Sequence, residues 1–181
     1  MEPVPSTFAH LRRNVALNDL AGRARCWQGG LADQAGSLRF TSGLDTVNHV
    51  LAPGEEGTGV DVPVTTLDEL VGDDVAAVVK IDVEGYEWSV LKGARRTLGD
   101  SRVLAVIMET NGSGARYGVG DDELVAEMRG FGFAMYAYDP VERRLEEAGK
   151  GGGNTIFVRD AAVVEARVRS ARRFGLVNGS I

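Results

Sequence analysis

The sequence predicts an α/β fold on an open, mostly parallel sheet, and three observations carry that prediction. Residues 75–83 and 103–108 are nearly continuous in apolar and β-branched side chains, as strands covered on both faces are. Between them Val90, Leu91, Ala94 and Leu98 recur at helical spacing, which completes a βαβ unit. Strand-like and helix-like patterns then alternate along the 181 residues without an internal repeat, a length that suits one domain. An antiparallel closing pair is expected at the sheet edge.

Ser6 or Thr7 as N-cap, Phe8, Leu11 and Val15 at helical spacing, and stop signals at Asn18 and Gly22 predict a first amphipathic helix. Residues 24–31 and 36–41 read as strands, the second with alternating Leu38 and Phe40 as half of a hairpin. Residues 42–61, rich in Gly, Glu, Thr and Pro, have no periodic apolar face and predict a mobile surface loop, left by a short strand at 62–65. Thr66 and Glu69 have capping-box spacing ahead of a short helix at 67–71. Asp121 or Asp122 caps a helix through Leu124, Val125 and Met128, and strands at 131–138 and 155–158 close the domain around a polar hairpin. The domain so defined spans residues 1–160. Residues 161–181 form an Arg-rich C-terminal tail, with Arg167, Arg169, Arg172 and Arg173 beside a thin apolar stripe at Val164 and Val168, and predict a frayed, solvated helix.

Composition removes several function classes. With 20 Lys+Arg against 26 Asp+Glu the chain carries a net charge of -6, the wrong sign for tracking phosphates, so no nucleic-acid partner is expected. No apolar run approaches the roughly 18 residues of a membrane span, and the N-terminus lacks the basic and apolar regions of a signal peptide. The single cysteine, Cys26, forms no internal disulfide, and no Cys/His cluster has zinc spacing, so a reducing cytoplasm fits best. Gly112 and Gly114 follow a strand, but Tyr117 occupies the third position of a dinucleotide fingerprint; Gly149 and its neighbours sit in a hairpin. His10 in the first helix and His49 in the loop have no triad partner at a recognisable spacing and read as surface histidines, and Cys26 as a small buried strand residue.

Ligands of open α/β sheets sit beyond the carboxyl ends of the strands, which gives weight to polar residues there. Asp82 and Glu84 end the first buried strand, two residues apart and so on one side of an extended chain. Two readings stand for them: a cap on the following helix paired with Lys80 or Lys92, or a binding or base pair. Glu109, followed by Thr110, Asn111 and Gly112, ends the next strand and would adjoin them across the sheet, where the carboxylates can hold a substrate hydroxyl. Such oxygens also suit Mg²⁺, but the spacing demands no metal. Glu2 stands immediately before the first helix, where a nucleotide-binding fold places the acid that accepts ribose hydroxyls.

The segments Val64-Thr65-Thr66-Leu67-Asp68-Glu69-Leu70, Val79-Lys80-Ile81-Asp82-Val83-Glu84-Gly85-Tyr86-Glu87 and Val90-Leu91-Lys92-Gly93-Ala94 together resemble the FkbM family of S-adenosylmethionine-dependent methyltransferases. The resemblance runs from Glu2-Pro3 through Asn14-Val15-Ala16-Leu17-Asn18 and Gly30-Leu31-Ala32-Asp33 to Gly153-Asn154-Thr155-Ile156-Phe157-Val158, about residues 2–159. It implies a Rossmann-like class I methyltransferase sheet with helices on both faces, and methyl transfer from S-adenosylmethionine to a hydroxyl on a sugar or secondary metabolite, a small-molecule acceptor. It also implies cofactor-binding roles for Glu2 at the ribose, Asp33 at the adenine and Asp82 at the methionine end and reacting centre, with Glu84 beside it; Glu109, placed by the neighbouring strand, would complete a catalytic set of Asp82, Glu84 and Glu109. Negative groups around a sulfonium are physically apt, because its charge disappears as the methyl leaves.

The same resemblance places a first strand, a glycine-rich loop, a helix and most of a second strand ahead of Glu2, and this sequence has one residue there. The expectation is therefore an N-terminally truncated domain lacking the first strand and the glycine-rich loop, with weak cofactor binding. The alternative function is a non-catalytic remnant that acts as a binding or interaction module through an exposed sheet edge.

Overall fold

The computed structural model describes residues 1–44, 47–176 and 179–180. Asp45 and Thr46 of the predicted loop, and Val177, Asn178 and Ile181 of the tail, lie outside the described residues. Helix α1 (Pro5–Leu17) leads into a three-stranded sheet of β1 (Gly30–Leu31), β2 (Gly36–Thr41) and β3 (Gly59–Thr65), ordered β1-β3-β2. Helix α2 (Leu67–Val71) connects this to a second sheet through β4 (Val78–Ile81), α3 (Glu87–Lys92), α4 (Arg95–Gly99) and β5 (Ala105–Thr110). A 3₁₀ turn (Ser113–Tyr117), α5 (Asp121–Gly130), β6 (Ala134–Asp139), β7 (Arg144–Glu147) and β8 (Gly153–Val158) complete it, in the order β4-β5-β8-β6-β7. Helix α6 (Ala161–Ser170) and a short ribbon of β9 (Gly175–Leu176) and β10 (Gly179–Ser180) follow.

The alternation is as predicted, but the pairing is mostly antiparallel. Among the described strands only β1 with β3 and β4 with β5 run parallel, because β8 inserts between β5 and β6 and pairs antiparallel with both. The polar hairpin at 140–152 contributes the extra strand β7. The run at 75–83 is also not covered on both faces. Strand β4 is an edge of its sheet, and Val78 is 57% exposed.

Local chemistry explains the elements that fall where expected. Thr66 Oγ1 accepts from the Glu69 N–H at 3.0 Å and Glu69 Oε2 from the Thr66 N–H at 3.3 Å, the reciprocal capping that starts α2. The predicted helix through Val90 and Leu98 is two helices, α3 and α4, broken at Gly93, where a Cβ would lie 2.1 Å from the Ala32 carbonyl oxygen. That close approach docks the βαβ unit on the end of β1. Val90, Leu91, Ala94 and Leu98 are wholly buried and join Val106, Met108, Leu124, Met128 and Phe157 in the main core. A smaller core gathers Val4, Phe40, Val50, Val62 and Val64 around the three-stranded sheet.

Three expectations are corrected. Residues 24–31 supply only β1 and a parallel bridge from Gln28 to Glu2, so Cys26 is half-buried outside any strand. Helix α1 begins after Val4 and not at a Ser6 or Thr7 cap, since Thr7 Oγ1 is engaged with Glu2 Oε1 at 2.7 Å and the Val4 carbonyl at 2.9 Å. The segment 42–58 is not a plain surface loop. Val50 bridges Phe40, and His49 is 5% exposed, with Nε2 2.8 Å from Glu55 Oε1 and Nδ1 3.0 Å from the Val47 carbonyl. The tail helix α6 is solvated as expected, with no buried residue, but it is anchored at both ends. Asp160 caps α6 at the Val163 N–H, and the buried Arg143 guanidinium donates to the carbonyls of Val168, Arg169, Ala171 and Arg172.

Candidate functional site

The parallel neighbours β4 and β5 deliver their carboxyl ends side by side, with Ile81 opposite Met108, so Asp82 and Glu109 emerge adjacent as strand alternation requires. After Ile81 the chain turns sharply, Glu84 adopting φ 54° and Gly85 φ 102°. Gly85 is held against the 3₁₀ turn, where a Cβ would meet the Ser113 carbonyl oxygen at 2.6 Å, a position only glycine can fill. Arg116 Nη1 donates to the Glu84 carbonyl at 3.3 Å, and the Tyr86 and Tyr117 rings meet edge to face at 5.1 Å. The Tyr117 hydroxyl in turn donates to the Val50 carbonyl at 2.5 Å, fastening the 42–58 segment over the site.

A cavity of about 600 Å³ opens at this edge. Glu2, Asp82, Glu84 and Glu109 all line it, and so do His10 and Asn14 of α1. Asn48, Val50, Phe40 and Tyr86 add amide, apolar and aromatic surface. The structure thus brings together four of the five residues singled out in the sequence. The fifth, Asp33, lies outside the lining and accepts from Ser89 Oγ at 3.2 Å. His10 faces the cavity although it is exposed, so its surface reading holds while its place at the site was not anticipated. Asn14 belongs to the quoted 14–18 segment, but a polar residue on an exposed helix face carries no signal that a cavity lies beside it.

The electrostatics are those of crowded negative charge. Asp82, Glu84 and Glu109 each offer an oxygen within 4.8 Å of the others, close enough to share one cation or one polar ligand group. Glu109 has a fully enclosed Oε2 with no protein hydrogen-bond partner. Burial pushes the Glu109 carboxyl above the usual glutamate range, and the charges of Asp82, Glu84 and Glu87 add to that, with Lys80 opposing. Lys80 Nζ pairs with Asp82 Oδ2, an exposed contact that partly neutralises the cluster.

A family model described as the methyltransferase FkbM domain matches residues 1–135. The chain belongs to the FkbM methyltransferase family. Its fold is similar to the crystal structure of methyltransferase FkbM from Methylobacillus flagellatus KT, at 15% identity and a TM-score of 0.50, covering 86% of this chain and 34% of that one. This FkbM chain therefore spans about a third of that protein's length, and the likeness establishes a mixed α/β, class I-like fold. No curated protein matches it. No helix among the described residues is long and apolar enough to cross a membrane.

Proposed function

We propose that this FkbM chain forms the acceptor side of an S-adenosylmethionine-dependent O-methyltransferase acting on a hydroxyl of a sugar or secondary metabolite. The observation that carries the reading is the convergence of Asp82, Glu84 and Glu109 on one cavity that Glu2 also lines. The donor set fits such a cofactor: carboxylates suit its ammonium and sulfonium charges and its ribose hydroxyls, and the volume is that of a small-molecule site. Glu2 would hold the ribose and Asp82 the methionine end, while Asp33, outside the lining and bonded to Ser89, could meet the adenine only beyond the cavity mouth. Bound, the cofactor supplies an electrophilic methyl on a positively charged sulfur.

The protein's own part is to prepare the nucleophile. A neutral alcohol attacks poorly unless its proton is drawn off as the new C–O bond forms. Asp82 would draw off the proton with Glu84 beside it, and Glu109, its carboxyl raised by burial and by neighbouring charge, would join them from the adjacent strand. Residues 1–160 would carry this chemistry, with 161–181 as an Arg-rich tail.

The test is transfer of labelled methyl from S-adenosylmethionine to a panel of sugars and hydroxylated metabolites, with Asp82→Asn and Glu84→Gln beside the parent chain. Turnover should fall by about 10²-fold in Asp82→Asn with the thermal midpoint little changed. Unchanged turnover in both variants would remove the catalytic assignment. Absence of cofactor binding by calorimetry would instead favour an interaction module, for which the unpaired edge of β4 among the described residues offers a strand-pairing surface.

A further inference from the structure

Glu87 begins α3 and is 1% exposed, yet it does not line the cavity. Its Oε1 accepts from the backbone N–H of Val83 at 3.3 Å and of Gly85 at 3.2 Å. Those two donors straddle Glu84, the residue in the left-handed backbone region. A bulky non-glycine residue keeps that conformation only where its surroundings impose it. Here the imposing groups are the Glu87 carboxylate beneath the turn and Arg116 on the Glu84 carbonyl above it.

A helix start needs no buried acid, and a surface carboxylate would serve its first turn as well. Burying one is costly unless it satisfies specific donors. Burial does push the Glu87 carboxyl above the usual range, while the N–H groups of Glu87, Gly85 and Val83 pull it back and the charge of Asp82 raises it further. The donors it satisfies belong to the loop that carries Asp82 and Glu84. We propose that Glu87 is a positioning residue, a buried carboxylate that fixes the 82–85 turn and so aims Asp82 and Glu84 into the cavity. The inference rests on the reading of that cavity as the methyl-transfer site, but it concerns the shape of the turn and can be tested without turnover.

The experiment is NMR on the labelled, ligand-free chain, comparing the parent with Glu87→Gln and Glu87→Ala. In Glu87→Gln the thermal midpoint should stay within a few degrees of the parent. The Val83 and Gly85 amides should exchange about tenfold faster or more, and the side-chain carboxyl signals of Asp82 and Glu84 should shift, while the Val106 and Phe157 amides keep their protection. Glu87→Ala should move the same signals further, and if it does not fold, Glu87→Gln decides by the same signals. A lower midpoint with Asp82 and Glu84 signals unmoved would reduce Glu87 to a core residue and overturn the proposal. Because every readout is taken without cofactor or acceptor, failure of methyl transfer leaves this result standing, and the reverse also holds.

Discussion

Arg159 lies over the ring of Phe133, with its guanidinium carbon 4.2 Å from the ring centre. The same guanidinium donates to three carbonyls: Leu98 in α4 at 2.5 Å, Val103 ahead of β5 at 3.0 Å and Phe131 after α5 at 2.6 Å. One side chain thus ties together three chain ends that the sheet alone leaves open, and its planar fork reaches acceptors in directions an ammonium cannot.

Arg159→Ala should therefore lower stability by about 2–3 kcal/mol, the scale of carbonyls left without partners plus a cation–π contact. Arg159→Lys should recover less than half of that, because a point charge cannot serve three carbonyls at once. Denaturant unfolding of the two variants measures both. Equal stability of Arg159→Lys and the parent would show that charge alone matters here.

The C-terminal tail, read from sequence as solvated, is gripped by Arg143, which is 6% exposed and donates to four carbonyls between Val168 and Arg172. Removing residues 161–181 should cost about 2–3 kcal/mol, because it strands a buried guanidinium. Adding Arg143→Ala to the truncated chain should return part of that loss, a non-additive pair visible in thermal midpoints. A truncation with no effect on the midpoint would mean that α6 contributes nothing to the domain.

Why some of this was legible and some not follows from the range of the forces involved. Strand β2 and helix α2 fall on their predicted residues because alternation in Leu38 and Phe40 and the Thr66–Glu69 box are local signals. The misplaced strand at 24–31 and the sheet order depend on which neighbour a strand meets, and β8 entering between β5 and β6 leaves no trace in either segment. Asp82, Glu84 and Glu109 were legible because strand ends have a known place in an open sheet. Glu87 was not, since an acid in the first turn of a helix is ordinary and only its burial marks it. His49 was missed for a related reason: its ring is held by Glu55 and the Val47 carbonyl, groups of the same aperiodic segment.

Glu55 gives the 42–58 segment a pH dependence. The Ala52 N–H, first, and then the His49 side chain hold its carboxyl below the usual glutamate range. A carboxyl depressed in the folded state adds stability that is fully present above the unfolded-state value and is lost as pH falls through the lower folded value. The parent should then exceed Glu55→Gln in thermal midpoint at about pH 7, with the gap closing toward about pH 3. A gap that is constant with pH would assign the effect to packing and not to the carboxylate.

Glu109 carries the opposite sign. Its folded-state value is raised, first by burial and then by Asp82, Glu84 and Glu87, so the folded chain holds the proton more tightly than the unfolded one. Stability is then undiminished below the ordinary glutamate value of 4.5 and declines as pH rises from there through the raised folded value. Above that window the ligand-free chain keeps an ionised Glu109 among like charges, a cost that no protein partner on Oε2 offsets. Glu109→Gln removes the charge while keeping the shape, so it should raise the thermal midpoint by about 1–3 °C near neutral pH, on the scale of a partly screened charge contact. Near pH 4 the two chains should melt together. A purely structural acid would behave otherwise, since its loss would lower the midpoint near neutral pH. Under the proposed function the same substitution should also cut methyl transfer by about 10²-fold, making Glu109 a residue retained for chemistry against its own effect on folding. Thermal scans across pH, paired with the transfer assay, measure both sides, and a Glu109→Gln chain less stable than the parent at neutral pH would overturn the electrostatic account of the site.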